Sequence, residues 1–156
     1  MSTTNIQIAP GSTVVDIVVP AEASVFQLIG VGIRVSDPSE MRIRMSFDGS
    51  SFIANAEMYS ADINGAAVTS DNIPIVQSMA GNIAAPVIPI LLNYYLSLGS
   101  ATIRPGIDGC GAAHDGARWN RTLSSGQCKV SGRVMAVRLY LSSGTFTAGN
   151  ILAVSV

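Results

Sequence analysis

The chain is 156 residues long, enough for one domain with a sizeable core. Hydrophobic residues make up 48% and charged residues only 12%, about half of the usual roughly 25%. A formal net charge of −1 gives no long-range attraction to nucleic acid or acidic membranes, and so few charges imply that part of the surface is covered in an assembly.

The first residues, MSTTNIQIAPG, are polar and end in the turn signal Pro10-Gly11. They lack a basic region followed by an apolar core, so no secretory signal is expected and the mature chain is expected to start at Met1. Residues 13–19 are rich in β-branched side chains and bounded by Pro20, the pattern of a short strand. With little before Val25 to form a core, residues 1–24 are expected to be an arm or an edge strand that clamps onto a neighbouring subunit.

Residues 25–35 (VFQLIGVGIRV) predict a strand, with Gly30 and Gly32 marking a bulge, bend or close backbone approach. Asp37-Pro38-Ser39 is a turn. Residues 41–48 then alternate strictly, Met41, Ile43, Met45 and Phe47 inward and Arg42, Arg44, Ser46 and Asp48 outward. After the Asp48-Gly49-Ser50 turn, residues 52–59 are expected to return as the hairpin partner.

Residues 66–69 and 73–76 are candidate short strands, and residues 79–85 a single helical turn. Residues 87–98 (VIPILLNYYLSL) form an apolar run fit for a central strand, with Pro89 placing its early part at an edge or bulge. No run approaches the roughly 18 apolar residues a membrane helix needs. Residues 99–116 are dense in turn residues and predict a long loop. Residues 121–124 suggest a short strand.

The ending, residues 130–156 (VSGRVMAVRLYLSSGTFTAGNILAVSV), is the most informative stretch. Met135, Val137, Leu139 and Leu141 share one face, and Val134, Ala136, Arg138 and Tyr140 the other. Ser142-Ser143-Gly144 and Ala148-Gly149-Asn150 read as breaks, and residues 151–156 as a final strand closing a hairpin. The whole predicts an all-β fold, a single β-sandwich or jelly roll of about eight to ten short antiparallel strands spanning residues 25–156.

Candidate chemistry is thin. His114-Asp115 suggests a base, but a serine-type triad needs an oriented partner set and no G-x-S-x-G elbow accompanies it. A histidine in a surface loop is the plainer explanation. Glu22, Glu40 and Glu57 are the only glutamates for a carboxylate pair. Asp62-Ile63-Asn64-Gly65 and Asp48-Gly49 resemble fragments of calcium loops yet lack the later acidic ligand, so turn chemistry explains them better. Asn120-Arg121-Thr122 matches a glycosylation acceptor by coincidence in a chain without a secretion signal. Cys110 and Cys128 are expected to stay unpaired in a reducing compartment, and two cysteines with one histidine cannot complete a standard zinc site. The sequence therefore predicts no catalytic residue, metal or other cofactor. Trp119, between Arg118 and Asn120, is the candidate glycan contact: indole stacks on a sugar face while its neighbours bind hydroxyls. The competing role is a core tryptophan. Arg138 and Tyr140, facing outward, are the candidate assembly interface.

The ending resembles the C-terminus of a β-sandwich domain of tailed-bacteriophage virion proteins. The matching positions are Val134, Val137, Arg138, Leu139, Ser143, Gly144, Phe146, Ala148, Gly149, Ile151 and Leu152. The family's aromatic ending is replaced by Ala153-Val154-Ser155-Val156. Residues 41–52 are similar to the family's apolar-Arg-x-Ser-x-Asp-Gly segment, followed by Tyr59 at the usual place. The resemblance covers roughly residues 25–156 and implies a scaffold in a tail fibre, tail tip or capsid surface, with Phe146 plugging the sandwich end. It further implies a non-enzymatic protein assembled in the bacterial cytoplasm into a virion. Expected partners are other virion proteins, further copies of itself and a host surface glycan, without nucleic acid or membrane insertion.

Overall fold

The computed structural model describes residues 1–52 and 132–156 throughout; between them it describes the backbone of six strands and the side chain of Met79. Among the described residues every element is a strand. In chain order these are β1 (Ser2–Gln7), β2 (Val14–Val18), β3 (Phe26–Val35), β4 (Ser39–Ser46), β5 (Met58–Ala61), β6 (Ala67–Ser70), β7 (Ile73–Met79), β8 (Ala85–Leu96), β9 (Ile103–His114), β10 (Trp119–Cys128), β11 (Ala136–Leu141) and β12 (Phe146–Ser155). They form two antiparallel sheets, one ordered β1-β12-β3-β8-β9-β10-β5-β6 and the other β2-β11-β4-β7. The arrangement is that of a β-sandwich.

The core lies between β1-β12-β3 on one side and β2-β11-β4 on the other. Phe26, Leu28, Ile33, Val35, Phe146 and Ile151 meet Ile17, Met41, Ile43, Met45, Val137 and Leu139 in one buried cluster. The alternation of β4 is seen as expected at Met41, Ile43 and Met45, all fully buried. Ser46, expected outward, is also fully buried, because the loop after it folds back over the strand end.

β3 and β12 bend together. In β3 the inward positions are Phe26 and Leu28, then Ile33 and Val35, so the phase shifts by one at Val31-Gly32, where Gly32 has φ 62°. In β12 they are Phe146, then Ile151 and Ala153, with irregular register between Phe146 and Asn150. Gly149, at φ 133°, lies so close to β3 that a Cβ there would sit 2.8 Å from Ile33 Cα. Such paired irregularities increase twist while keeping apolar side chains on the core.

The structure corrects several expectations. The two closing strands are not a hairpin: β11 lies in the smaller sheet and β12 in the larger, so the Ser142-Ser143-Gly144 turn carries the chain across the sandwich. The second expected break is a bulge within the continuous β12. Met135 is half-exposed and Val134 fully buried, the reverse of the expected alternation; Ala136 is buried too, and burial alternates as expected from Val137 to Leu141. β4 pairs with β11 and β7; of the expected return partner, Phe52 bridges to Ser46, residues 53–57 lie outside the described residues, and Met58 and Tyr59 belong to β5, which pairs with β10 and β6. Residues 99–116 are not one long loop, since β9 occupies Ile103–His114. Pairing to β8 and β10 on its two sides satisfies the backbone whatever the turn propensity of its glycines.

The N-terminal segment also contributes more than expected. β1 is one outer strand of the larger sheet and β2 one of the smaller. Ile8, Ile17, Val19 and Ala23 are buried core residues. β8 is central, between β3 and β9, but its first residues through Pro89 pair with β3 alone. Pro89 therefore has an open ladder position on its other side, where a missing N–H costs little. The helical turn expected over residues 79–85 has Met79 in β7, with 80–84 outside the described residues.

Candidate functional site

The two segments that carry the resemblance act as clasps. In the first, Asp48 Oδ1 accepts hydrogen bonds from Ser46 Oγ at 2.9 Å and from the backbone N–H groups of Ser50 and Ser51 at 2.8 and 2.6 Å. The Ser46 hydroxyl in turn accepts from the Gly49 N–H at 3.0 Å. The amides of Ser51 and Ser50, with the Ser51 and Ser46 hydroxyls, hold the Asp48 carboxyl well below the usual carboxylate range. Gly49, at φ 82°, supplies the left-handed residue of the turn.

The second clasp joins the crossover after β11 to the turn before β4. The Ser143 hydroxyl donates to the Pro38 carbonyl at 2.8 Å, and the Glu40 N–H to Ser142 Oγ at 3.0 Å. Across the same junction the Ser36 N–H donates to the Thr145 carbonyl at 2.8 Å, and the Thr145 N–H to Ser36 Oγ at 3.0 Å. Gly144 (φ 67°) sits against Asp37 and Ser36 with no room for a Cβ. Phe146 follows, fully buried. The motif residues thus seal one end of the sandwich.

The outer face of the smaller sheet holds both candidate interface residues. Arg138 of β11 lies opposite Asp16 of β2 and Arg44 of β4. Its Nε and Nη2 donate to Asp16 Oδ1 and Oδ2, both at 2.6 Å, a bidentate pair that raises the Arg138 pKa. The guanidinium lies 4.0 Å from the Phe52 ring centroid. One row along, Tyr140 lies opposite Val14 and Arg42. Arg44 sits over its ring at 4.8 Å, and Arg42 donates to Glu40 Oε2 through Nε at 2.9 Å and Nη2 at 2.7 Å. The Tyr140 hydroxyl is buried and, among the described residues, makes no hydrogen bond of good geometry. On this face Arg138 and Arg42 are each paired with a carboxylate, and the Arg138 and Arg44 guanidinium groups lie on the Phe52 and Tyr140 rings.

The alternation puts Arg138 and Tyr140 on the outward face of their strand, where the structure has them, but does not show their neighbours Asp16 and Phe52. Asp16 was detectable as the one charge in the run of residues 13–19, at an outward position of a strand. Phe52 was not, because its contact depends on the loop folding back over β4.

The glycan candidates lie in the larger sheet. Trp119 and Asn120 open β10, opposite His114 and Ala113 of β9, and Arg118 falls outside the described residues. Trp119 and His114 are thus cross-strand neighbours, a juxtaposition the sequence did not suggest. Cys110 lies opposite Leu123, five positions from Cys128 along β10. That offset separates the two Cα atoms by roughly 16 Å at a strand's rise, beyond the about 7 Å limit for a disulfide. Glu57 and the turn at 62–65 are outside the described residues.

Among the described residues no three His, Cys, Asp or Glu side chains cluster to hold a metal, and no helix is long and apolar enough to cross a membrane. An open apolar groove of about 290 Å³ lies beside the start of β11, lined by Val19, Ala21, Phe47, Gly132, Arg133, Val134 and Met135. Arg133 is anchored at its edge, its Nη2 donating to the carbonyls of Pro20 and Ala23. No family model, curated protein or solved structure matches the chain.

Proposed function

We propose that the chain is a non-enzymatic structural protein of a tailed-phage virion, a β-sandwich displayed on a fibre, spike or tail tip. The observation that carries this reading is the use made of its motif residues. Ser143, Gly144 and Phe146 close the sandwich, and Asp48 and Gly49 lock a turn, so the residues shared with phage surface domains build a scaffold. A low charge content, with Arg138 and Arg42 on the outer face each paired to a carboxylate, supports assembly with other virion proteins and further copies of the chain. In this reading residues 1–24 attach the domain, Arg138 and Tyr140 lie in an assembly interface, and Trp119, Arg118 and Asn120 contact a host surface glycan. The fold is of the jelly-roll type, and the protein reaches the virion from the bacterial cytoplasm.

A capsid decoration protein is the second reading, favoured by the exposed valines of β2, which suit a shell-facing surface. Binding assays separate the two. Host recognition predicts that purified protein binds bacterial cells or extracted polysaccharide and that Trp119→Ala abolishes binding while the circular dichroism spectrum is retained. Decoration predicts instead binding to preformed capsids and a higher capsid melting temperature. If Trp119→Ala unfolds the domain, the tryptophan belongs to the core and the glycan assignment fails.

A further inference from the structure

We infer that the free edge of β2 is a pairing site for the β2 edge of a second copy, joining the two smaller sheets across a two-fold axis. The hydrogen-bond parity of β2 gives the geometry. The Val19 N–H donates to the Met135 carbonyl and the Leu141 N–H to the Thr13 carbonyl. Backbone direction alternates along a strand, so the odd-numbered residues aim their N–H and C=O groups at β11. Val14, Asp16 and Val18 aim theirs away from it, and among the described residues β2 is a last strand of its sheet. Their side chains share the outer face, with Val18 77% exposed and Val14 40%.

This edge lacks the devices that keep sheet edges apart. Between Val14 and Val18 there is no lysine, proline or bulge, and the single charge, Asp16, is neutralised by its bidentate bond to Arg138. Another outer strand, β1, differs. By the same parity, from the Ile8 N–H donating to the Gly149 carbonyl, its outward groups belong to Thr3, Asn5 and Gln7. Their polar side chains gain little from losing water, whereas valines on β2 gain apolar contact as the ladder forms.

The occupant is a second copy because the edge is complementary to itself. Antiparallel pairing about Asp16 sets Val14 of each copy against Val18 of the other, and every such pair exchanges both of its hydrogen bonds. The two Asp16 residues meet at the axis, each carrying its own Arg138, so two compensated ion pairs lie side by side. One strand pair buries less than the about 1,000 Å² of a stable interface, so association depends on concentration. The inference does not depend on the virion reading; the same edge would pair in a protein of any function.

The test is sedimentation equilibrium of the full chain from micromolar to millimolar concentration, combined with hydrogen exchange resolved to single amides. Wild type is expected to form a dimer in which exchange at Val14, Asp16 and Val18 slows with concentration, while Val15 and Ile17 are unchanged. Val18→Pro removes an outward N–H without touching the ladder to β11, and it is expected to weaken the dimer by about tenfold or more. Val18→Lys at the same exposed position should do likewise should the proline variant fail to fold. A chain monomeric at millimolar concentration, or a dimer indifferent to the folded Val18 variants, overturns the inference.

Discussion

Asp48 shows how one side chain fixes a loop. Its carboxylate gathers the amides of Ser50 and Ser51 and the Ser46 hydroxyl, and it is held in the ionised form well below the ordinary range. A carboxyl whose folded pKa is depressed stabilises the fold above its unfolded value, near 3.8, and that contribution is lost as pH falls towards the folded value. Asp48→Asn is therefore expected to lower the melting temperature at neutral pH, with the gap to wild type closing as the solution is acidified below the unfolded pKa. Thermal scans across pH check this; a gap independent of pH would mean that shape, not charge, matters at the site. The sequence showed Asp48-Gly49 as a turn, which is a local property of the residues. It did not show the burial of Ser46, because that depends on the loop folding back.

At the scale of elements, the β3–β12 pair is the most constrained part of the sandwich. Gly149→Ala would add a Cβ 2.8 Å from Ile33 Cα at a φ of 133°. The variant is expected to destabilise the protein by roughly 2–4 kcal/mol, through strain and overpacking, measurable by urea unfolding. A loss below about 0.5 kcal/mol, the range of an ordinary surface substitution, would show that the two strands can separate there. The same element shows where periodicity stops being readable. Val137, Leu139 and Leu141 alternate as a strand should and proved to be core. Gly149 reads as a break because a bulge and a turn use the same residue, and only pairing to β3 distinguishes them. The closing pair was mistaken for a hairpin for a related reason: a turn that returns within one sheet and one that crosses to the other share the Ser-Gly signal. β9 was hidden because its glycines carry turn propensity, whereas its ladder to β8 and β10 is non-local.

At the scale of the molecule, the first and last segments interlock. β1 pairs with β12 and β2 with β11, so the chain ends lock both sheets from opposite sides of the sequence. The all-β class was legible because strand-length apolar runs between turns recur along the chain. The order of strands was not, since the pairings of β1 with β12, β2 with β11 and β3 with β12 join residues more than a hundred positions apart. The outward position of Arg138 and Tyr140 was legible from alternation alone; their neighbours Asp16, Arg44 and Phe52 come from three other segments. The remaining step from scaffold to role lies outside the single molecule. The most direct measurement is to purify tailed-phage particles from the cells that produce this chain, detect it by mass spectrometry, and locate it by electron cryomicroscopy. The account predicts the chain in the particles, in symmetric copies at a fibre, spike or tail tip. Its absence from purified particles, while it accumulates free in the cell, would contradict the account.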